Sequence, residues 1–389
     1  MSDPGHGIPY YWRLSSFYLF YFALLGALVP YWSLYLRDQG FAAVQIGLLM
    51  SLPQLTKLVA PNLWGWLADR SGRRLAVIRL GNLAAALVFC AVFLADGFWS
   101  MALLLTAFSF FWNAVLAQFE VVTLETLGSR ASRYSHVRLW GSVGFIVSVI
   151  LVGQGLDIFP VTLVPWVILA CLWLLWLATL VLPEQPVQGQ DTPRTGLWSV
   201  LRQPPVLVFF ACAFLMQMSH GPYYTFFTIY LTDAGVSGSL TGLLWGLGVA
   251  AEVALFLVMH RVLHRFTLEH IITASLGLAA LRWLLLAWYA DNGLALVIAQ
   301  LLHAASFGSF HAASIAWVHR AFGGGHAGQG QAFYSSVGFG AGWALGASLS
   351  GALWDQYGGD TFVMAAAVAM LAFAISLVGL RPVMPRSAD

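Results

Sequence analysis

The sequence predicts an all-α membrane protein of twelve transmembrane helices, arranged as two pseudo-symmetric bundles of six. Three observations carry that expectation. Only 9% of the 389 residues are charged and 60% are hydrophobic, against roughly 25% and 45–50% in soluble domains. Mean hydropathy is +0.79, and so few charges do not cover a water-facing surface, so the main solvent is lipid. Apolar runs recur at about the 20 residues that a spanning helix needs. Finally, landmarks of the first half return in the second.

Apolar runs between charged or turn-rich breaks place spans at 11–36, 43–67, 75–95, 98–127, 138–156 and 161–182, then at 205–231, 239–260, 268–290, 293–319, 328–352 and 360–380. The intervening stretch is rich in proline and polar residues and falls at the midpoint. The expected organisation is therefore an N-terminal bundle over 1–182, a cytoplasmic linker over 183–204 and a C-terminal bundle over 205–389. Arg13 precedes a long apolar run with no small-residue cleavage site after it, so the first helix is expected to act as the targeting element. Cys90, Cys171 and Cys212 lie in apolar stretches and read as packing residues. The formal net charge is +2, and no dense basic run points to nucleic acid.

Loop charge sets the orientation, because Lys and Arg concentrate on the cytoplasmic side. Loops after even-numbered spans hold Arg70, Arg73, Arg74, Arg130, Arg133, Arg194, Arg202, Arg261, Arg265 and Arg320. Loops after odd-numbered spans hold Asp38, Asp96, Asp157, Asp233, Asp291, Asp355 and Asp360, with Arg37 the only basic residue. Both termini are thus expected in the cytoplasm. The repeat is visible in the residues themselves. Tyr35-Leu36-Arg37-Asp38-Gln39-Gly40 matches Tyr230-Leu231-Thr232-Asp233-Ala234-Gly235, and Gly47-Leu48-Leu49 matches Gly242-Leu243-Leu244, both 195 residues apart. Ser142-Val143-Gly144-Phe145 matches Ser336-Val337-Gly338-Phe339 at a spacing of 194. Parallel six-span repeats with a site near the midplane are one architecture of secondary transporters.

Between spans 2 and 3 the chain reads Gly65-Trp66-Leu67-Ala68-Asp69-Arg70-Ser71-Gly72-Arg73-Arg74. It resembles the G-x-x-x-D-R-x-G-R-R signature of the major facilitator superfamily, at the loop where that family carries it. The glycines permit a tight turn, and Asp69 is suited to pair with an arginine or to cap a helix. The resemblance makes Gly65, Asp69, Arg70, Gly72, Arg73 and Arg74 a conformational latch; ordinary positive-inside anchoring is the plainer alternative. The corresponding second-half loop, Met259 to Glu269, lacks the signature. Val137-Arg138-Leu139-Trp140-Gly141-Ser142, Ala251-Glu252-Val253, Leu281-Arg282-Trp283, Leu302-His303 and Phe310-His311 resemble the phenylpropionate permease branch, near the lactose and nucleoside proton symporters. That resemblance implies a permease of a bacterial inner membrane, acting as a monomer, with no cofactor.

An ionisable group at bilayer depth costs about 2.5–3.5 kcal/mol even on a lenient scale and is a functional candidate. Lys57 in span 2, Glu252 in span 8, Arg282 in span 9 and the histidines His220, His303 and His311 meet this description. Lys57 and Glu252 stand 195 apart, at equivalent places in the two halves, and are candidates to face each other across a central cavity. Arg282 and His303 lie at matching depths of roughly 12–15 Å. An acid, an arginine and a histidine on successive helices resemble the lactose permease arrangement, which assigns proton coupling to Glu252, Arg282, His303 and His311. A static ion pair between Glu252 and Arg282, with the histidines bonding a neighbouring helix, is the alternative.

The substrate-site candidates are Lys57, Asn113, Gln118, Glu120, Glu125, Arg138, Trp140, His220, Tyr223, Tyr224 and Trp245. Glu120 and Glu125 fall on different faces of span 4, and Arg138 is a candidate partner of Glu125; interfacial anchoring is the alternative. Tryptophan and tyrosine also gather at membrane interfaces anyway. His260 and His264 have helical metal-pair spacing but no evident third ligand, so no metal is expected. Glycines in spans 5 and 11 suit helices that approach and slide. The function expected from the resemblance is proton-coupled symport of a small organic solute by alternating access, with an aromatic carboxylate such as 3-phenylpropionate first and Lys57 or Arg138 as its partner. A sugar or nucleoside symporter and a drug-efflux antiporter remain alternatives. A membrane enzyme is disfavoured by the lack of a nucleophile–base pair, and a channel by the two-bundle repeat.

Overall fold

A computed structural model describes residues 10–182 and 197–382; the expected linker residues 183–196 lie outside them, as do Arg194 and Arg386. Every regular element among the described residues is helical. Ten stretches are long and apolar enough to cross a membrane. Eight run 18 to 31 residues, whereas Phe98–Leu156 and His326–Gly379 run 59 and 54. At 1.5 Å rise per residue these two are about 80–90 Å long, far beyond the ~30 Å hydrocarbon core. Each is interrupted by a short 3₁₀ turn, at Gly128–Arg133 and at Gly358–Asp360.

The solvent preference is inverted relative to a soluble protein. Leu94, Trp99, Leu257 and Val378 are exposed, whereas Asn82, Gln217, Arg282 and Gln300 are buried. In lipid the apolar side chains dissolve outward and the polar ones need partners inside the bundle. The chain is a multi-pass membrane protein.

The described residues form two compact units, 10–182 with Gly235–Gly246, and 197–234 with 247–382. In the first, Tyr11–Asp38 packs on Tyr134–Leu156 and on Leu163–Leu180. In the second, Leu268–Trp288 and Pro204–Ser219 pack on Thr361–Gly379, and Gly221–Asp233 on Trp343–Tyr357. The internal repeat persists in this packing. A Cβ on Gly26 would fall 2.6 Å from the Phe145 carbonyl oxygen, and one on Gly221, at the repeat position, 2.1 Å from the Gly346 carbonyl carbon. Backbone meets backbone in both units, which only small residues permit. The repeated Tyr-Leu-x-Asp-x-Gly landmarks also end alike, with Gly40 at φ 82° and Gly235 at φ 76°.

Several helices are broken at bilayer depth. The 43–71 stretch turns loosely through Lys57, where the Lys57 amide donates to the Gln54 carbonyl instead of that of Pro53. The Pro204–Asp233 stretch breaks at His220, just before Pro222. Wider π turns occupy Ala304–Gly308 and Ser335–Gly342, a local geometry that recurs at functional sites.

Candidate functional site

The second unit assembles its charged residues around His303. This residue ends the Gly293–His303 helix, and the π turn begins at the next position. Arg282 comes from the Leu268–Trp288 helix and Glu252 from Gly238–Arg265. Arg282 Nη1 lies 3.1 Å from His303 Nδ1, and Glu252 Oε2 lies 3.6 Å from His303 Nε2. A guanidinium only donates, so Nδ1 must accept. The proton of the neutral ring therefore sits on Nε2 and points at the Glu252 carboxylate. A second proton on Nδ1 would set two donors face to face. The three residues thus stand in a row, guanidinium, imidazole, carboxylate: a relay whose first link is a hydrogen bond and whose second, at 3.6 Å, is an ion-pair distance longer than one. Gly308 makes room for it, since a Cβ there would stand 3.0 Å from Glu252 Cγ.

Arg282 is completely buried. Its Nε donates to the Ala299 carbonyl at 2.9 Å, and its guanidinium lies 4.2 Å from the Tyr223 ring centroid and 4.6 Å from that of Trp283. Such aromatic faces attract a cation. The Tyr223 hydroxyl donates to Gln300 Oε1 at 2.8 Å. His220 is spent on the helix break, because its Nδ1 donates to the Met216 carbonyl at 2.8 Å. Its ring meets Trp283 edge-on at 4.8 Å and Phe307 at 5.5 Å. Tyr224 packs on Trp343 at 4.3 Å, and Phe307 stacks on His303 at 5.0 Å. His311 lies apart from the relay, 3.3 Å from the Tyr334 hydroxyl. Trp283, Gln300 and Phe307 were not singled out by the sequence, which holds 17 tryptophans and 27 phenylalanines with nothing to distinguish these.

The first unit holds Lys57, Asn113, Gln118, Glu120, Glu125, Arg138, Trp140 and Trp245. Asn113, itself at a break between Phe98–Trp112 and Val115–Leu127, donates to the Pro53 carbonyl at 2.7 Å and to Thr56 Oγ1 at 2.8 Å. It satisfies the backbone group that the turn at Lys57 releases. Gln118 joins the Gly65–Arg74 motif: its Oε1 accepts from Arg74 Nη1 at 2.7 Å, while Arg74 Nη2 pairs with Asp69 Oδ1 at 2.8 Å. Gly65 lets Gln118 approach, since a Cβ there would lie 3.1 Å from Nε2, and Gly72, at φ 63°, ends the helix in the left-handed conformation. Arg70 covers the Trp66 ring at 5.5 Å. Arg138 lies over the Phe22 ring at 3.9 Å with Glu120 as its acidic neighbour, and Tyr134 donates to Glu120 at 3.2 Å. Glu125, the partner expected for Arg138, is exposed. Trp140 donates to the Tyr11 hydroxyl at 2.9 Å.

Residues 11–364 match the model of the MFS_1 like family. The chain is 29% identical over 365 residues to a probable 3-phenylpropionic acid transporter of Escherichia coli (strain K12), covering 91% of this chain and 93% of that one. It is 29% identical over 295 residues to a maltose permease of Geobacillus stearothermophilus, 72% of each chain. Among solved structures, the nucleoside transporter NupG superimposes with a TM-score of 0.82 at 18% identity, over 95% of this chain and 98% of that one, a likeness of fold.

Proposed function

Since the chain belongs to the MFS_1 like family of membrane transporters, we propose that it is a proton-coupled symporter that imports a small aromatic carboxylate, such as 3-phenylpropionate, by alternating access. The observation that carries this reading is the Arg282–His303–Glu252 relay. A transporter that couples to protons needs one buried group that exchanges a proton and a neighbour that feels the exchange. Glu252 is the carrier: its carboxylate is partly accessible, while the tautomer of His303 is fixed by Arg282. When Glu252 takes a proton, the imidazole N–H loses an anionic acceptor, and the change reaches Arg282 through one ring. Twelve crossings, with both termini in the cytoplasm of a bacterial inner-membrane protein, complete the proposal. The 3₁₀ turns at Gly128–Arg133 and Gly358–Asp360 divide the two long stretches in a way that supports two further crossings.

The resemblance to the 3-phenylpropionic acid transporter favours an aromatic acid over a sugar or nucleoside. So does the fate of Asn113 and Gln118, which spend Nδ2 on Pro53 and Thr56 and Oε1 on Arg74 respectively. The test is external pH in lightly buffered, de-energised cells expressing the protein. Adding 3-phenylpropionate is expected to raise the pH with wild type and not with Glu252→Gln. Uptake of labelled acid with no pH change in either protein would rule out proton coupling.

A further inference from the structure

Arg282 has no anion of its own. Among the described residues Asp69 pairs with Arg74, Glu252 with His303 and Glu269 with Arg320, and none of these acids reaches Arg282. Two of its nitrogens are satisfied by neutral acceptors, the Ala299 carbonyl and His303 Nδ1. The third, Nη2, is buried and makes no hydrogen bond. A fully buried cation beside a vacant donor is costly to keep in a membrane protein unless an anion visits it. The walls around it are aromatic: Tyr223 and Trp283 on the guanidinium, then Phe307 and Tyr224. His220 Nε2, the remaining polar edge, is also buried and unpartnered.

We propose that Arg282 is the anchor for the carboxylate of the transported acid, bound through Nη2, with the aryl group held among Tyr224, Trp283 and Phe307. This rests on the symport reading above and deepens it. Glu252 stands across the His303 ring from Arg282. While Glu252 is ionised, it balances Arg282 across His303. Once Glu252 is protonated, Arg282 is uncompensated, and a substrate carboxylate restores neutrality. Each bound anion then requires one bound proton, and by linkage each favours the other. The charged or titratable groups that face Arg282 are Glu252, His303, His220, Tyr223 and Tyr224; the Thr361–Gly379 helix contributes Phe362 against Trp283. Lys57 and Arg138, the carboxylate partners expected from the sequence, belong to the other unit.

The experiment compares binding of 3-phenylpropionate with that of its neutral amide, 3-phenylpropanamide, to the purified full-length protein in nanodiscs, read by tryptophan fluorescence and by proton uptake. Wild type is expected to prefer the acid by about 100-fold, the scale of a buried charge pair left unmatched, and to take up one proton per acid bound. Arg282→Gln is expected to bind the amide within about twofold of wild type and to lose the preference. Should Arg282→Gln not fold, Arg282→Lys keeps the charge and is expected to retain part of the preference. Glu252→Gln is expected to bind the acid with no proton uptake. Equal binding of acid and amide by wild type, or a preference that survives in Arg282→Gln, would overturn the anchor. Failure of the symport reading looks different: acid binding that depends on Arg282, without any pH rise in cells, keeps the anchor and removes proton coupling. A pH rise with a nucleoside or sugar alone keeps coupling and removes the anchor.

Discussion

At the scale of single residues, His303 decides how the site is read. Its ring has a donor on one side and a carboxylate on the other, and the donor fixes the tautomer. If the ring serves as a neutral bridge, a residue with one acceptor and one donor should replace it. Glutamine offers both on one amide. His303→Gln is therefore expected to retain substrate-driven alkalinisation at reduced rate, whereas His303→Leu abolishes it. The leucine variant also loses about 1–3 kcal/mol of stability, because Arg282 Nη1 is left unpaired. A silent His303→Gln in a folded protein would mean that the imidazole itself titrates. The sequence placed Arg282 and His303 at matching depths, and the resemblance to the lactose permeases added Glu252 to them. The tautomer was not legible, because it depends on a 3.1 Å contact across the bundle. The pairing of Arg138 also escaped the sequence: the 3₁₀ turn at Gly128–Arg133 separates its helix from that of the two acids, and Arg138 neighbours Glu120 while Glu125 is exposed.

At the scale of elements, spans were legible and their interruptions were not. Hydrophobic runs report where a helix must dissolve in lipid, and they do so whether or not the ladder inside is continuous. The turn at Lys57 and the π turns at Ala304–Gly308 and Ser335–Gly342 leave the apolar pattern intact. Only Pro53 and Pro222 hinted at two of the breaks. Helix ends tell a similar story. Asp157 read as an outer-loop acid, yet it caps the first residues of Gly238–Arg265, within the first unit. Its Oδ1 accepts from the Gly238 amide at 2.7 Å and its Oδ2 from the Ser239 amide at 2.9 Å and from the Ser239 hydroxyl. The Ser239 hydroxyl, then the backbone N–H groups, hold the Asp157 carboxyl below its usual value of 3.8. A depressed value in the folded state means stability present above the ordinary carboxylate range and lost as pH falls through and below it. Asp157→Ala is thus expected to lower the melting temperature at neutral pH. The gap from wild type should close as the medium is acidified below that range. A gap unchanged at acid pH would show that the carboxylate charge does not matter to the cap.

At the scale of the whole chain, the repeat keeps a charge at the corresponding helix start where its most visible motif is lost. The loop from Met259 to Glu269 lacks the Asp-Arg-x-Gly-Arg-Arg pattern, and the second unit looked latch-free in sequence. Shifted by 195 residues, however, Arg74 corresponds to Glu269, and Glu125 to Arg320. In the first unit the cation at position 74 leans on Gln118 and Asp69. In the second, Glu269 at the start of Leu268–Trp288 faces Arg320 of the following stretch at 3.6 Å. The second unit thus keeps a charge at the position of Arg74 but reverses its sign, and pairs it with Arg320, whose first-unit counterpart Glu125 is exposed and is not among the partners of Arg74. Glu269 is nearly buried and Arg320 is about two-fifths exposed, so water screens the pair and its coupling is expected to be about 1 kcal/mol. Arg320→Gln is expected to cost more than Glu269→Gln, because it leaves the enclosed Glu269 carboxylate without its cation, whereas Glu269→Gln leaves an arginine that water can solvate. The exchange Glu269→Arg with Arg320→Glu reverses the pair while keeping its attraction. It is expected to recover most of the stability that either single reversal loses, measured as thermal unfolding in nanodiscs. If the double reversal is as unstable as the sum of the singles, the two residues do not act as a pair, and the symmetry is one of position only.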